Sequence, residues 1–537
     1  MFAVKIIFLL ALICSSQTSQ SLWDLANENK DLLRISTLFT AQNVRAYLST
    51  DEGINDAIAW CKETGVTHVF IETYRGRYTA ERKVLQHAKS RFASEGFDVS
   101  GCVTTTKVGK ISTNWKEISC YTDKGTQDEL AKIFEYTASI FDEIMIDDFL
   151  FTDCECDQCQ KARGNRTWAD YRCELMTKVN QDRILKAARA VNPGVKIIIK
   201  YPQWYDNFHN RGYEVVQQTA DFDKIWVGTE TRDYDNQRWG RKVQYEAYYI
   251  MRWLGEIGGL KTGGGWFDPY GTSENTYVEQ ARQTILADAK EMLLFCYGSL
   301  LQETGPANVK QLRKEIPGLF KLAEIVRNKT IKGILAPKPP NSDADGEMYV
   351  FDFVGMLGLP LVPTAEIRSD AKAAFFAVHA LKDPDCSGKL NKMLSAKKPV
   401  LITDGLAKKW KGINLDDKNL TVLKVNGNPH NLLKLTRDEL NSIRNKLLAP
   451  FGIRFDAPNK VALYLMGDNC LIVENFNDEP VNVSLELSNV VKARKTLVLP
   501  VEGDSELSYA GRKLDLTKIT PRTLVAVEYL SKSPVNP

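Results

Sequence analysis

Histidine is scarce in this chain: five residues in 537 (His68, His87, His209, His379 and His430) leave little material for a histidine-rich metal centre. No Gly-x-Ser-x-Gly run is present, which excludes the nucleophile elbow of a Ser-His-Asp hydrolase. The first expected strand is not followed by Gly-x-Gly-x-x-Gly, which argues against a dinucleotide-binding open sheet. Charge of one sign is missing too. Seventy Lys and Arg against 67 Asp and Glu leave a net charge of +3, with no basic footprint for nucleic acid and no charged tail. Beyond the N-terminus no apolar run is long enough to cross a bilayer, and no repeat of solenoid period is found.

What is present begins with a targeting pattern. Lys5 opens an apolar run, Ile6–Cys14, followed by Ser15, Ser16, Thr18 and Ser19. This is the layout of a secretory signal over residues 1–21, with cleavage near Gln17–Ser21, and it predicts an exported, soluble protein. The destination is extracellular, or the lumen of the secretory or lysosomal system. Four sequons, at Asn165, Asn328, Asn419 and Asn482, fit a glycoprotein. The length predicts two or three domains.

From about residue 36 to 305, short apolar runs alternate with helical patterns, the signature of βα units. The expected strands are Val44–Leu48, His68–Glu72, Asp98–Thr104, Glu143–Asp147, Val195–Tyr201, Lys224–Gly228, a run through Gly265 into Trp266–Asp268, and Met292–Tyr297. Eight strands argue for a (β/α)8 TIM barrel over residues 22–335. The Pro-rich stretch Lys332–Ser342 reads as a linker. Beyond it, expected strands at Met348–Phe353, Ala374–Val378 and Val400–Thr403 suggest a smaller α/β domain over 336–450, and a strand-rich tail suggests a β-sandwich over 451–537.

Acidic residues recur at the expected C-terminal strand ends, where barrel enzymes place their chemistry: Glu72, Asp147, Asp148, Glu230 and Asp268. Tyr74, Arg75, Lys200, Tyr201, Trp204, Arg232, Trp266 and Tyr270 accompany them. Glycosidic cleavage needs two carboxyl groups flanking the anomeric carbon, and sugar C–H faces stack on aromatic rings. The set therefore points to a glycoside hydrolase. Asp148, Glu230, Asp147 and Asp268 are the candidate catalytic groups, with Glu230 favoured as general acid. The other cationic and aromatic residues and Glu72 are candidate substrate contacts. Competing structural roles are a loop cap for Asp147 and Asp148, ion pairs for Glu230 and Glu72, and a turn with Pro269 and Gly271 for Asp268.

Cys154-x-Cys156-x-x-Cys159 places three thiols within six residues. With Cys120 or Cys102 as a fourth ligand they would close a tetrahedral structural zinc site; disulfides are the alternative in an exported protein. No organic cofactor is expected.

The chain resembles the three-domain β-galactosidases of glycoside hydrolase family forty-two. Gly355-Met-Leu-Gly-Leu-Pro-Leu-Val-Pro363, Ala380-Leu-Lys-Asp-Pro384 and Lys398-Pro-Val-Leu-Ile402 resemble their middle domain, and the cysteine run resembles their zinc site after strand four. The resemblance implies a catalytic barrel, a glutamine-amidotransferase-like middle domain and a β-sandwich. No nucleophile-elbow cysteine is found in the middle domain, which assigns it a structural role, with a homo-oligomer contact as one candidate. That family carries Asn-Glu at strand four and Glu at strand seven, where this chain has Asp147-Asp148 and Asp268. An Asp-Asp pair at strand four with an acid at strand six resembles the α-galactosidase-type arrangement instead. Two alternatives stand beside the hydrolase: a non-catalytic carbohydrate-binding protein on a degenerate barrel, and a metal-dependent hydrolase such as a carbohydrate deacetylase working from the cysteine loop. The expected partner is a carbohydrate, with neither nucleic acid nor membrane.

Overall fold

A computed structural model of the chain describes residues 20–235, 238, 240–327 and 329–532. Most of the signal-like segment and the Asn328 sequon lie outside the described residues. No helix among the described residues is long and apolar enough to cross a membrane.

Eight parallel strands form a closed barrel: β1 (Arg34–Phe39), β2 (His68–Arg75), β3 (Asp98–Val103), β4 (Glu143–Ile146), β5 (Lys196–Tyr201), β6 (Lys224–Gly228), β7 (Thr262–Phe267) and β8 (Glu291–Leu294). Closure follows from β1, which pairs with both β2 and β8. Because side chains alternate along a strand, every second residue points inward. Leu38, Phe70, Cys102, Met145, Ile198, Trp226, Trp266 and Leu293 fill the interior as one cluster, while Ile197, Ile199 and Tyr201 face the helical layer. Trp226 fits because β7 opens with glycines: a Cβ on Gly263 would lie 2.4 Å from its indole Nε1, and one on Gly264 would lie 2.8 Å from its ring. The barrel is therefore a packed plug with its polar residues stacked above it, at the C-terminal strand ends.

Three expected elements take other forms. Val44–Leu48, expected as the first strand, lies in and just beyond the helix Ala41–Tyr47; Thr40 caps it by accepting from the Asn43 N–H, and the strand is Arg34–Phe39. The Ser36 and Thr37 hydroxyls, which hid that strand from a hydrophobicity reading, donate to the Met292 and Leu294 carbonyls of β8. Met348–Phe353, expected as a strand, contributes instead to the helix Val350–Gly355, whose residues are all buried, so no amphipathic period is visible. Phe351 stacks on Tyr249 with ring centroids 4.7 Å apart. Finally, the Pro-rich linker contains a strand, Ile334–Pro337, which lies inside a five-stranded parallel sheet.

That sheet runs in the order Leu361–Thr364, Ile334–Pro337, Ala374–Phe376, Val400–Thr403, Leu420–Leu423. Beyond it the chain forms two antiparallel sheets, of five and four strands. The short strand Ile331–Lys332 pairs with Met466 and Leu465, tying the end of the barrel segment into the first of them.

The barrel meets this terminal region through a buried polar network. Arg282 donates twice to the Glu315 carboxylate, at 3.0 and 2.8 Å, and once to the Arg522 carbonyl. Both members of the pair are almost fully buried. Removing the cation alone strands a charge, so Arg282→Met is expected to destabilise the fold by about 3–5 kcal/mol in chemical denaturation. The double variant with Glu315→Leu should recover most of that loss, since two apolar groups leave no orphaned charge. Equal losses in the single and double variants would show that the pair is not what fails.

Candidate active site

A cavity of about 570 Å³ opens above the barrel plug. Its lining includes Asp147 and Asp148 after β4, Lys200 at the end of β5, Gln203 and Trp204 beyond it, Glu230 and Arg232 after β6, and Trp266 and Asp268 at β7. One buried ammonium organises them. Lys200 Nζ donates to Asp148 Oδ2 at 2.9 Å and to Glu230 Oε1 at 2.8 Å, and lies 3.9 Å from Asp147 Oδ1. It also sits 4.0 Å from the centroid of the Trp266 ring, a cation–π contact. Burial disfavours its charge, but the three carboxylates outweigh burial and keep it protonated.

The two adjacent aspartates are driven apart. Asp147 accepts from Arg75 Nη2 at 2.8 Å, Thr104 Oγ1 at 3.0 Å and the Asp148 backbone N–H at 2.8 Å. Against burial, the Arg75 and Lys200 charges and these hydrogen bonds hold it below the usual carboxylate range. Asp148 accepts from Lys200 Nζ. Burial, with repulsion from Asp147 and Glu230, outweighs that ammonium and pushes the Asp148 carboxyl up to about 7.

Glu230 has one oxygen on Lys200, while its buried Oε2 has no hydrogen-bond partner among the described residues. Gly228 makes its position possible, because a Cβ there would lie 2.4 Å from that Oε2. Asp268 is clamped by Arg232, whose Nε donates to Oδ1 at 2.9 Å, and it also accepts from the Tyr270 N–H at 3.1 Å. Burial still leaves its carboxyl above the ordinary value. Arg232 holds a left-handed backbone (φ 57°), and its N–H donates to Gln280 Oε1.

Two aromatic walls flank the acids. Trp115, 45% exposed, lies 5.7 Å from Phe149 and 5.9 Å from Phe151, and Phe151 meets Trp204 edge-on at 5.0 Å. Opposite them, Trp266 stacks on Phe295 at 4.8 Å, with Tyr270 nearby. Such surfaces suit the apolar faces of sugars.

Of the expected site residues, Asp147, Asp148, Glu230, Asp268, Arg75, Lys200, Trp204, Arg232 and Trp266 line this cavity. Tyr74, Tyr201 and Glu72 do not. The Tyr74 hydroxyl donates to the Lys107 carbonyl. Tyr201, one residue past Lys200, points into the helical layer, where its hydroxyl reaches Thr219. Glu72 is wholly buried beneath the cavity and positions Arg75, with further bonds from Thr104 and the Ala41 N–H. His209 pairs with Asp343 at 2.9 Å rather than facing the cavity. Sequence reasoning missed Trp115, Phe149, Phe151, Gln203, Arg238, Lys242 and Phe295 as lining. Phe149 and Phe151 adjoin the aspartate pair and could have been found by proximity; Trp115 sits in a detour whose path the sequence does not specify.

The cysteine run sits on the same rim. The sulfur atoms of Cys120, Cys154, Cys156 and Cys159 lie within 4.8 Å of one another, and none of these residues forms a disulfide. Cys120 is 3.8 Å from Cys156 and 3.5 Å from Cys159, and Cys156 is 3.7 Å from Cys159. Four thiolates about 2.3 Å from one ion would be separated by roughly these distances. Cys102, the other candidate ligand, lies inside the barrel. Burial alone would raise the Cys156 thiol; bonds from Cys159, Cys154 and Lys110 outweigh it and bring it to about 6. The group could hold a metal ion, and four sulfur ligands leave no position for a reactive water. Asp153, beside Cys154, accepts from the Trp115 N–H and from Arg211, so the same knot fixes the outer aromatic wall.

Comparisons with known proteins agree with this fold. A family model described as "Probable glycosyl hydrolase, catalytic domain" matches residues 20–346, and one described as "Probable glycosyl hydrolase, C-terminal domain" matches residues 452–500. An uncharacterized protein of Saccharolobus solfataricus is 25% identical over 364 residues, 61% of this chain; the match spans only 59% of that relative's own length. Among solved structures, alpha-L-fucosidase isoenzyme 2 from Paenibacillus thiaminolyticus superposes with a TM-score of 0.61 at 11% identity, covering 93% of this chain and 99% of the other. A catalytic mutant of a GH42 beta-galactosidase from G. stearothermophilus gives 0.60 at 9% identity, covering 93% and 98%. At such identities the likeness is one of fold.

Elemental analysis of the purified protein should find one tightly held transition metal per chain. Cys159→Ser should abolish its retention and lower the unfolding midpoint. Because the knot fixes Trp115, KM for a sugar substrate should rise more than kcat falls. Metal-free protein with these thiols oxidised would overturn the metal-site reading.

Proposed function

This chain belongs to the family described as probable glycosyl hydrolases, and on that premise we propose that it cleaves glycosidic bonds of an oligo- or polysaccharide with Asp148 and Glu230 as the working pair. The supporting observation is the shared ammonium. Since Lys200 bonds one oxygen of each, those two oxygens can be no farther apart than the sum of its two contacts. That closeness favours the roughly 5–5.5 Å carboxyl spacing of a retaining enzyme over the 6.5–9.5 Å of an inverting one.

In this reading Asp148, held to about 7, is the proton donor, although the sequence had favoured Glu230 for that role. Asp148 protonates the leaving glycosidic oxygen while Glu230 attacks the anomeric carbon to form a glycosyl ester. The Asp148 carboxylate then takes a proton from water, which breaks that ester. Lys200 positions Glu230 through one oxygen, and Arg75 keeps Asp147 anionic beneath the developing positive charge. Asp268 serves to hold Arg232 in place. The structural neighbours suggest α-L-fucosides and β-galactosides as first substrates to assay. We further propose that the metal in the cysteine knot is zinc and that the protein is exported and glycosylated.

A second reading, sugar binding without turnover, is favoured by one observation: Lys200 occupies an oxygen of each carboxylate. Turnover separates the two. Asp148→Asn and Glu230→Gln should each lower kcat/KM on a natural oligosaccharide by about 10²–10⁴-fold; unchanged activity in either would remove that residue from the mechanism. No turnover by the wild type across a broad panel of aryl glycosides and polysaccharides would favour binding alone.

The pH dependence has a definite sign. The acid form of Asp148 is the active one, so kcat/KM should fall as pH rises through about 7. Glu230 contributes to that elevation by repulsion. In Glu230→Gln, the Asp148 carboxyl followed by infrared titration should therefore titrate lower than in the wild type. An unshifted titration would mean that the two carboxyls do not interact.

A further inference from the structure

The seam where the barrel meets the terminal sheets encloses more acid than base. Glu279, Arg282 and Gln283 enter it from the helix Glu274–Leu286, Glu315 from the helix Gly305–Arg327, and Glu474 from the strand Cys470–Asn475. All are buried, as is Arg522, which joins them from the turn before the last strand. Ionised together, Glu279, Glu315 and Glu474 would set three negative charges against two guanidiniums. Those two are largely committed elsewhere. Arg282 is bound through two nitrogens to Glu315, and Arg522 donates from Nε and Nη2 to Asp478 Oδ1, at 2.9 and 2.7 Å. Arg522 Nη1 stands 3.6 Å from Glu279 Oε2, too far for a hydrogen bond.

The two remaining acids are poorly solvated by the protein. Neither Glu279 oxygen has a hydrogen-bond partner among the described residues, although the Gln244 amide and the Asp233 carboxyl face it. Glu474 accepts at Oε2 from the Gln283 amide and the Tyr464 hydroxyl, while its Oε1 has no partner among the described residues. A buried carboxylate short of donors and of a close cation is costly as an anion and takes up a proton instead. Burial pushes the Glu474 carboxyl up to about 8, aided by repulsion from Glu279 and opposed by Arg282, Tyr464 and Gln283. Burial brings Glu279 to about 7, against Arg522 and Arg282.

We propose that this seam is a proton-dependent latch: a proton held by the Glu279–Glu474 pair keeps the barrel helix and the terminal strand together, and its loss loosens them. Both carboxyls bind protons more tightly in the fold than at the ordinary glutamate value of about 4.3, so their contribution to stability is complete below that value. It declines as pH rises and is gone above about 8. The same helix also reaches the active site: Gln280 accepts from the Arg232 N–H at 3.2 Å and donates to the Asp268 carbonyl at 3.0 Å. A loosened latch therefore frees the mount of Arg232 and Asp268. The latch does not depend on which reaction the cavity performs.

Hydrogen–deuterium exchange of the full chain from about pH 5 to about pH 8.5 tests this, with rates corrected for the intrinsic pH dependence of amide exchange. Corrected rates across Glu274–Leu286 and Cys470–Asn475 should rise about tenfold or more over that range. The rise should vanish in the double variant Glu279→Gln, Glu474→Gln, which cannot titrate at the pair and keeps an acceptor for Gln283. Each single variant should show a smaller rise than the wild type, and these serve if the double variant misfolds. Corrected rates that stay flat in the wild type, or that climb as steeply in the variants, would overturn the latch.

Discussion

An ammonium fully buried among three carboxylates governs the arrangement above the barrel plug. Lys200 cannot be placed in that interior without anions, and Asp147, Asp148 and Glu230 cannot share so small a volume without a cation. The requirement is mutual, and it fixes where β4, β5 and β6 end relative to one another. It also explains why the groups differ in chemistry while differing little in position. Arg75 supplements Lys200 at Asp147 and holds it ionised; at Asp148, burial with two like neighbours outweighs the Lys200 ammonium and pushes its proton affinity up.

How much of this was legible in the chain depends on the scale of the signal. Seven of the eight barrel strands could be placed from buried apolar runs, because in a parallel barrel both strand faces are covered and the run itself is the mark. The first strand escaped because Ser36 and Thr37 interrupt it, their hydroxyls satisfied by β8 carbonyls that no local reading can foresee. The acids at the strand ends were found for the same reason as the strands. Tyr201 failed as a substrate contact through parity, since one step along a strand turns a side chain from cavity to helical layer. Tyr74 failed because an irregularity between Glu72 and Tyr74 reverses the alternation, so that Arg75 and not Tyr74 reaches the cavity. Trp115 was missed because it reaches the rim through a detour tied down by Asp153, a contact between segments 38 residues apart.

The cysteine knot and the Pro202–His209 segment bring a common principle to the two sides of the catalytic mouth. Loops are the least constrained parts of a barrel, yet a sugar platform needs aromatic planes held still. On one side the constraint is four converging sulfur atoms beside Asp153, which holds Trp115. On the other it is the docking of the middle sheet, where Asp206 accepts from His379 and from the Tyr349 N–H just beyond Trp204. The additional sheet is thus part of what defines the mouth, which gives a physical reason for its close attachment to the barrel.

The fate of the fourth acid bears on how such a site divides its labour. Asp268 lies at the end of β7, where the family-forty-two resemblance would put a nucleophile, and it faces the same cavity as Asp148 and Glu230. Its environment differs in one respect: Arg232 approaches it with two guanidinium nitrogens, and the Tyr270 N–H takes a share of one oxygen. A carboxylate bound at both oxygens by a planar fork has its lone pairs committed and its orientation fixed. Glu230, held by one ammonium at one oxygen, keeps the other unspent. The cations thus sort the acids. The fork makes a strut of Asp268, whereas the point charge of Lys200 leaves Glu230 and Asp148 each with an oxygen not committed to it, the condition a group must meet to form or break a bond.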